Sequence, residues 1–316
     1  MKRYLFFFMM FPMQLFAQEL FPLAEPASSI PKGTLGVKLY SETYKEVKQW
    51  RFQNGLRLSY GVTPKLSLFL TALSSNHHGD KMPEEFPFHN TPERGKFYPY
   101  KFNGFHLYGK YRVLSLDHQN EHFRMAAYAE AAKVKTTHHE TEPDLEMGDN
   151  SGWGFGLITT LLKNKFAGSL TAGAILPSAY LGSSPDPISS MPDIPIRVYY
   201  GKAITYSLSF GYLLLPRKYE SYDQGNLNFY LTFKGKYYDA AKVDIFVGMP
   251  NEYYLINDQY PKALQRNYFV DISPGIQYIV RSNLRIDFST SFRCLGFSYA
   301  KLYPVYTLGV QRYFNW

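Results

Sequence analysis

The sequence contains a single cysteine, Cys294, among 316 residues, so no internal disulfide can stabilise it. No stretch reaches the roughly 18 apolar residues that a membrane-spanning helix requires, which excludes a helical membrane protein. Tryptophan is scarce, with three residues, whereas tyrosine and phenylalanine number 28 and 25. Tyrosine and tryptophan side chains combine an apolar ring with a polar group that water can solvate. They suit the two membrane–water interfaces better than the core of a soluble protein.

Motifs of several chemical classes are also absent. There is no Gly-x-Ser-x-Gly nucleophile turn, no phosphate-binding glycine loop and no cysteine metal motif. We therefore expect no enzymatic activity and no cofactor. Basic residues exceed acidic ones by 34 to 26, but the excess is spread over predicted strands, so nucleic acid is not an expected partner.

The first residues carry an export pattern. Lys2 and Arg3 precede a mostly apolar run that ends at Phe16, and Ala17 offers a small residue at the cleavage point. The pattern predicts a signal peptide over 1–17 and a periplasmic segment over 18–33. The remainder, 34–316, is then a domain exported to the outer membrane.

Period-two alternation runs through that remainder. Near the C-terminus, Leu308 and Val310 alternate with Thr307, Gly309 and Gln311, which gives one apolar face and one small or polar face. Twelve such segments of about 8–13 residues match tilted strands that cross lipid. The sequence predicts an all-β, antiparallel up-and-down transmembrane barrel of about 12 strands, with short periplasmic turns and long extracellular loops.

Three further expectations accompany this prediction. Val243–Gly248 and Tyr253–Ile256 are expected to form a hairpin above the membrane, although two extra spanning strands, 14 in all, are possible. Pro274 lies inside the tenth segment and predicts a bulge, because proline donates no ladder hydrogen bond. Phe314 and Trp316 are expected to be the C-terminal signal that the barrel-assembly machinery binds.

Periodicity alone does not decide which face meets lipid, because a soluble barrel alternates in the same way with its apolar face inward. Aromatic residues at both ends of many apolar faces, and basic residues in the middle of the polar face, favour lipid outside and a polar lumen inside.

The predicted lumen carries ten cations against three carboxylates, and a confined positive lumen concentrates anions. The leading hypothesis is a narrow, anion-favouring passive channel for a small solute or ion. A lumen plugged by arginine–carboxylate pairs and inward-folded loops is the alternative, because twelve strands lie between filled eight-stranded barrels and open ones of sixteen. The charged lumen residues are Lys38, Arg51, Arg57, Lys110, Arg112, Arg124, Glu130, Lys234, Lys236, Asp271, Arg285, Asp287 and Arg293.

Five histidines fall in two predicted extracellular loops, and imidazole binds copper, nickel and zinc. They are His77, His78, His89, His138 and His139. A second hypothesis is therefore a closed barrel whose loops bind a metal or a protein partner. A third, a hydrolase at the rim, would need a nucleophile and a base within hydrogen-bond reach.

Four segments resemble an uncharacterised group of bacterial outer-membrane barrels that are often encoded beside heavy-metal efflux genes. The segments are Leu23–Ser28, His122–Tyr128, Asn150–Gly156 and Leu215–Tyr219. The resemblance covers most of the mature chain, and it implies a barrel fold and a metal-homeostasis context. Its motifs are structural and define no active site.

Overall fold

The computed structural model describes residues 21–46, 49–76, 100–135, 141–184, 194–218, 224–245, 262–299 and 301–314. Within these ranges the chain forms fifteen strands and one 3₁₀ helix, Lys262–Leu264. The strands are β1 (Leu35–Glu46), β2 (Gln49–Gly61), β3 (Leu66–Ser75), β4 (Lys101–His118), β5 (Glu121–Val134), β6 (Gly152–Lys163), β7 (Phe166–Pro177), β8 (Tyr180–Ser184), β9 (Ile194–Tyr199), β10 (Ala203–Leu215), β11 (Asn226–Tyr238), β12 (Lys242–Ile245), β13 (Asn267–Val280), β14 (Leu284–Gly296) and β15 (Val305–Phe314). No helix in the described ranges is long and apolar enough to cross a membrane.

Twelve of the strands close into one barrel. From β1 the wall runs through β2, β3, β4, β5, β6, β7, β10, β11, β13 and β14 to β15, which pairs with β1 again. Every neighbouring pair is antiparallel, and Leu35 stands opposite both Tyr60 and Phe314. The predicted twelve-stranded up-and-down barrel is confirmed. Closure leaves no strand edge without a hydrogen-bonding partner, as hydrocarbon requires.

The barrel is apolar outside and polar inside. Leu39 and Trp153 on the outer face are 60% and 68% exposed, whereas Lys110 on the inner face is fully buried. A soluble barrel would show the opposite distribution. The outer surface is therefore the one that contacts lipid.

Connections differ at the two ends of the barrel. The turns Val62–Lys65, 119–120 and 164–165 are short and lie at the end where β1 begins and β15 finishes. Longer links join β5 to β6, β7 to β10 and β11 to β13 at the other end. Since short turns of outer-membrane barrels face the periplasm, we call these the periplasmic and extracellular ends.

The two extra spanning strands are not part of the barrel wall, because β11 pairs directly with β13. Within Val243–Gly248, the described part belongs to β12, which pairs with β9 from a different loop, and β9 pairs with β8. The result is a three-stranded sheet over the extracellular end. Tyr253–Ile256 lies outside the described residues, so the expected hairpin stays a prediction.

The bulge expected at Pro274 is also absent. The register of β13 against β14 skips Ser273 and Pro274 and is the same on both sides of them. The shift occurs instead between Val270 and Asp271. At this point Pro274 has no amide hydrogen to donate, so one backbone hydrogen bond between strands is missing. The pairing of Pro274 with Leu231 on β11 keeps the strand in register.

Glycines on the inner wall make room for tyrosine rings that lie across neighbouring strands. A Cβ on Gly156 would stand 2.3 Å from the backbone oxygen of Ala172 and 2.6 Å from the Tyr128 ring. Gly168, on the outer face of β7, has only the ring of Phe166 nearby, at 3.7 Å. The Gly156 position therefore tolerates no side chain, whereas the Gly168 position does.

We expect Gly156→Leu to reduce the yield of folded barrel severalfold, because the added side chain meets backbone on one side and the Tyr128 ring on the other. Gly168→Leu is the control and should assemble like the wild type. The folded fraction can be measured by the heat-dependent shift in electrophoretic mobility. Equal yields of the two variants would contradict the close packing at Gly156.

Candidate functional site

An N-terminal segment, residues 21–34, lies inside the periplasmic half of the lumen. The Ala27 amide donates to Thr160 Oγ1 at 2.9 Å, and the Ile30 amide donates to Ser67 Oγ at 2.9 Å. The side chains of Ala27 and Ile30 are buried against the inner wall. There they pack in a cluster with Phe69, Tyr108, Ala126, Tyr128 and Ile158. The described part of the segment expected over 18–33 thus fills the side of the lumen formed by β3 to β6.

Glu25 is the main electrostatic anchor of this N-terminal segment. Its carboxylate accepts from Arg57 Nη1 at 2.7 Å and from Lys110 Nζ at 3.2 Å. Lys110 also donates to the Pro26 carbonyl at 2.6 Å. Burial would raise the pKa of the Glu25 carboxyl, but Arg57 and Lys110 outweigh it and lower the pKa to about 2. The carboxylate is therefore ionised at neutral pH, and it pairs with two wall cations at once.

Two further wall cations contact the N-terminal segment. Lys38 Nζ donates to the Pro22 carbonyl at 3.1 Å and pairs with Asp287 at 3.2 Å. Arg124 Nη1 donates to Ser28 Oγ at 2.9 Å. Basic side chains of β1, β2, β4 and β5 thus converge on one short stretch of chain.

At the extracellular end the β5–β6 loop, described over 141–150, folds into the lumen mouth. Lys236 on β11 pairs with Asp144 at 2.7 Å, and Lys234 pairs with Glu146. Leu145 is fully buried. It packs in a cluster with Ala132, Val134, Ile175, Ala203 and Tyr238, which belong to the continuous part of the wall from β5 to β11. The loop therefore covers this side of the mouth.

Two carboxyls of the β5–β6 loop are held in opposite ways. Burial raises the pKa of Glu142, although its oxygens accept from Ser298 Oγ at 2.8 Å and from the Tyr299 amide at 3.2 Å. Burial would also raise the pKa of the Asp144 carboxyl, but Lys236 and Lys234 outweigh this effect and hold the pKa well below its usual range. The Asp144 carboxylate is therefore the charged anchor of the loop.

The β14–β15 loop adds a third contact at the extracellular mouth. Lys301 pairs with Glu42 on β1 at 3.3 Å, and Tyr303 donates to Asp271 on β13. These bonds join opposite sides of the closing seam above the membrane.

The wall from β10 to β14 differs from the covered wall. Both amide atoms of Asn226, the oxygen of Asn228 and the hydroxyl of Ser207 are buried and have no hydrogen-bond partner in the described chain. Such groups each cost about 1–3 kcal/mol unless water satisfies them. A polar, hydrated face is the arrangement that removes this cost.

A cavity of about 20 Å³ lies beside the N-terminal segment, which is room for about one water. Glu25, Lys38, Arg57, Gln277 and Gln311 line it together with other residues. This cavity is therefore too small for a solute larger than water.

The structure places the predicted lumen charges unequally. Seven are buried in the wall: Arg51, Lys110, Glu130, Lys236, Asp271, Arg285 and Asp287. Five more are partly exposed: Lys38, Arg57, Arg112, Arg124 and Lys234. Arg112 donates to the Pro64 carbonyl at the periplasmic rim. Arg293 is exposed near the extracellular end, with its guanidinium 5.4 Å from the Phe297 ring centre.

The metal hypothesis falls mostly outside the described residues. His77, His78, His89, His138 and His139 are not among them, and neither is Trp316. In the part of the chain that is described, no group of three or more metal-ligating side chains occurs. His106, on β4, lies 2.8 Å from Glu130 and forms part of the buried wall.

The carboxylates of the inserted segments were missed as lumen residues. Glu25 lies in a proline-rich stretch with no strand pattern, and nothing in that stretch predicts its position. Asp144 and Glu146 belong to an acidic run just after His138 and His139, in a predicted extracellular loop. The surplus of lumen cations was the signal, because ten cations with three partners require acids from elsewhere.

Among solved structures, the chain is similar to an outer-membrane channel from Pseudomonas putida F1, with 14% identity, a TM-score of 0.54 and coverage of 92% of this chain and 100% of that one. The KdgM porin aligns with 9% identity and a TM-score of 0.41 over 89% of this chain and 99% of that one. Phospholipase A from the Escherichia coli outer membrane aligns with 11% identity and a TM-score of 0.36 over 92% and 93%. No protein-family model matches the chain, and no curated protein does. The first similarity supports the outer-membrane barrel fold.

We expect Lys236→Met to loosen the β5–β6 loop, because it leaves the Asp144 carboxylate without its nearest cation. Loss of one partner of a buried ion pair costs roughly 3–5 kcal/mol, so amide exchange over 141–150 should accelerate at least about tenfold. Lys242→Met is the matched control, because the Lys242–Asp244 pair is exposed. Hydrogen–deuterium exchange of the two variants measures the difference, and equal exchange would contradict the anchoring role.

Acidification from pH 7 to 5 should not release the β5–β6 loop. A lowered carboxyl pKa gives stability that is complete above the unfolded pKa and is lost only as pH falls through the folded one, so Asp144 keeps its contribution. Glu142 acts in the other direction: its raised pKa means that protonation relieves the cost of burial. Exchange over 141–150, corrected for intrinsic rates, should not increase at pH 5. Faster exchange there would show that other groups anchor the loop.

Proposed function

We propose that this protein is an outer-membrane channel for small anionic solutes, closed in this structure by its own N-terminal segment and β5–β6 loop. The origin of the lumen charges supports the proposal. Arg57, Lys110, Lys234 and Lys236 project from the barrel wall, whereas their carboxylate partners belong to the inserted segments. The cations are thus permanent parts of the lumen, and the acids are not.

Withdrawal of the inserted segments changes the charge of the lumen. The four wall cations then face water without their partners, whereas wall–wall pairs such as Lys38–Asp287 persist. A confined aqueous path with excess positive charge attracts anions and repels cations. Closure and anion preference therefore depend on the same side chains.

The β10–β14 side of the lumen is the favoured route for the solute. Asn226, Asn228 and Ser207 present polar atoms there that no described residue satisfies. The N-terminal segment is bonded to the opposite side, through Ser67, Lys110, Arg124 and Thr160, so it can move without unfolding the β10–β14 wall. A barrel of the same fold, from Pseudomonas putida F1, is described as an outer-membrane channel.

The charge-neutral variant Glu25→Gln/Asp144→Asn should open the channel more often than the wild type in planar bilayers. Removing both acids leaves the buried Lys110 and Lys236 without a carboxylate in the closed state, and each loss costs roughly 3–5 kcal/mol. Under a salt gradient, the reversal potential should show anion preference. Adding Lys110→Gln to this variant should weaken that preference.

Two controls accompany this measurement. Glu121→Gln/Asp244→Asn removes two acids from the exposed pairs with Lys163 and Lys242, so opening should match the wild type. Arg312→Gln removes a cation from the outer face and should leave selectivity unchanged. Cation preference in the open state, or no openings in Glu25→Gln/Asp144→Asn, would rule out the proposed channel.

A further inference from the structure

A groove of about 670 Å³ lies at the extracellular end of the barrel, and several residues that line it belong to the outer surface. On the wall side these are Phe105 and Leu107 of β4, Ala131 of β5 and Trp153 of β6. Ala131 stands between Leu107 and Trp153 in the strand register, so a small residue is flanked by two bulky ones. The volume falls within the range of about 300–1,000 Å³ that is usual for small-molecule sites.

The three-stranded sheet closes the groove on its extracellular side. Tyr180 and Leu181 of β8 line it from above, and Leu181 is 65% exposed. We call the floor of the groove over Ala131, between Leu107 and Trp153, the trough. Leu181 above it gives the trough a second apolar side. A hydrocarbon chain that lies along the barrel wall in this groove therefore contacts apolar side chains of both the wall and β8.

Two basic residues stand at the rim of the groove. Lys133 lies opposite Phe105 and shares the outward side of β5 with Ala131, and Lys135 follows the end of that strand. Both are exposed, and neither forms an ion pair within the described part of the chain. A lysine on the lipid-facing side of a barrel is costly at the middle of the bilayer and tolerated near its surface. Lys133 therefore marks the level of the outer-leaflet headgroups.

We propose that this groove binds a phosphorylated, acylated glycolipid of the outer leaflet. An acyl chain occupies the trough over Ala131, between Leu107 and Trp153, and a phosphate receives the Lys133 and Lys135 ammonium groups. Charge complementarity selects this occupant, because an uncharged apolar ligand leaves both lysines unused. The site lies outside the lumen, so it does not depend on the proposed channel.

The test measures lipid retained by the full-length chain. Barrel purified from outer membranes in mild detergent is washed extensively and examined by native mass spectrometry. We expect about one phosphorylated glycolipid per wild-type barrel. Lys133→Gln/Lys135→Gln should retain at least about tenfold less, because the phosphate loses both charged donors.

Two further variants separate the groove from general surface charge. Ala131→Trp fills the trough on the lipid-facing side, where a bulky residue is compatible with the fold, and should reduce retention to a similar extent. Lys242→Gln/Lys262→Gln removes two lysines from the extracellular surface outside the groove and should retain lipid like the wild type. Folding of each variant is checked by its heat-dependent electrophoretic mobility.

Add-back of lipid identifies the chemistry of the occupant. Wild-type barrel refolded from denaturant in detergent without lipid should bind the phosphorylated glycolipid, and the dephosphorylated form should bind at least about tenfold more weakly. Equal rebinding of both forms, retention of ordinary phospholipid in its place, or equal retention by all variants would overturn the proposal. A wild-type barrel that retains no lipid, because its own chain fills the groove, would overturn it as well.

Discussion

Closure of the backbone hydrogen bonds around the barrel is the constraint on which the rest of the structure depends. Hydrocarbon offers no partner for an unpaired amide or carbonyl, so β1 must meet β15 and complete the ring. Once the ring is closed, period-two alternation sends every second side chain to lipid and every other one inward. The apolar set covers the outside, and the polar and charged set accumulates in the lumen. The positive wall is thus a consequence of the same geometry that satisfies the backbone.

A ring of twelve strands then creates a problem of volume and charge. Its interior is wider than that of an eight-stranded barrel, which wall side chains can fill, and narrower than an open porin. Buried cations without partners are strongly unfavourable. The N-terminal segment and the β5–β6 loop address both needs, because they supply bulk, such as Ala27, Ile30 and Leu145, together with carboxylates. Filling and neutralisation are accomplished by the same residues.

The sequence predicted the wall well and the contents of the lumen poorly. Alternation is a local property, so strand number and the two faces followed from period two, and the positions of aromatic and basic residues predicted which face turns outward, as for Leu308, and which inward, as for Lys110. Contacts between distant segments have no such local signature. Glu25 lies in an irregular stretch 85 residues before its partner Lys110, and β12 pairs with β9, a strand of another loop. The register across Pro274 likewise depended on the partner strand, β11.

The two inserted segments are held by different electrostatic arrangements. Glu25 bridges Arg57 and Lys110, its pKa is lowered to about 2, and a neighbouring carbonyl also accepts from Lys110. The β5–β6 loop combines a strongly stabilised carboxylate, Asp144, with a buried carboxyl, Glu142, whose raised pKa reports a net cost of ionisation. A second carboxyl of the loop, Glu146, also has its pKa lowered, by Lys234. Both inserted segments are therefore held in the lumen by ionised carboxylates that pair with wall cations. Glu142 is the exception in the loop, because its burial opposes ionisation and its place is fixed by hydrogen bonds to Ser298 and Tyr299 instead.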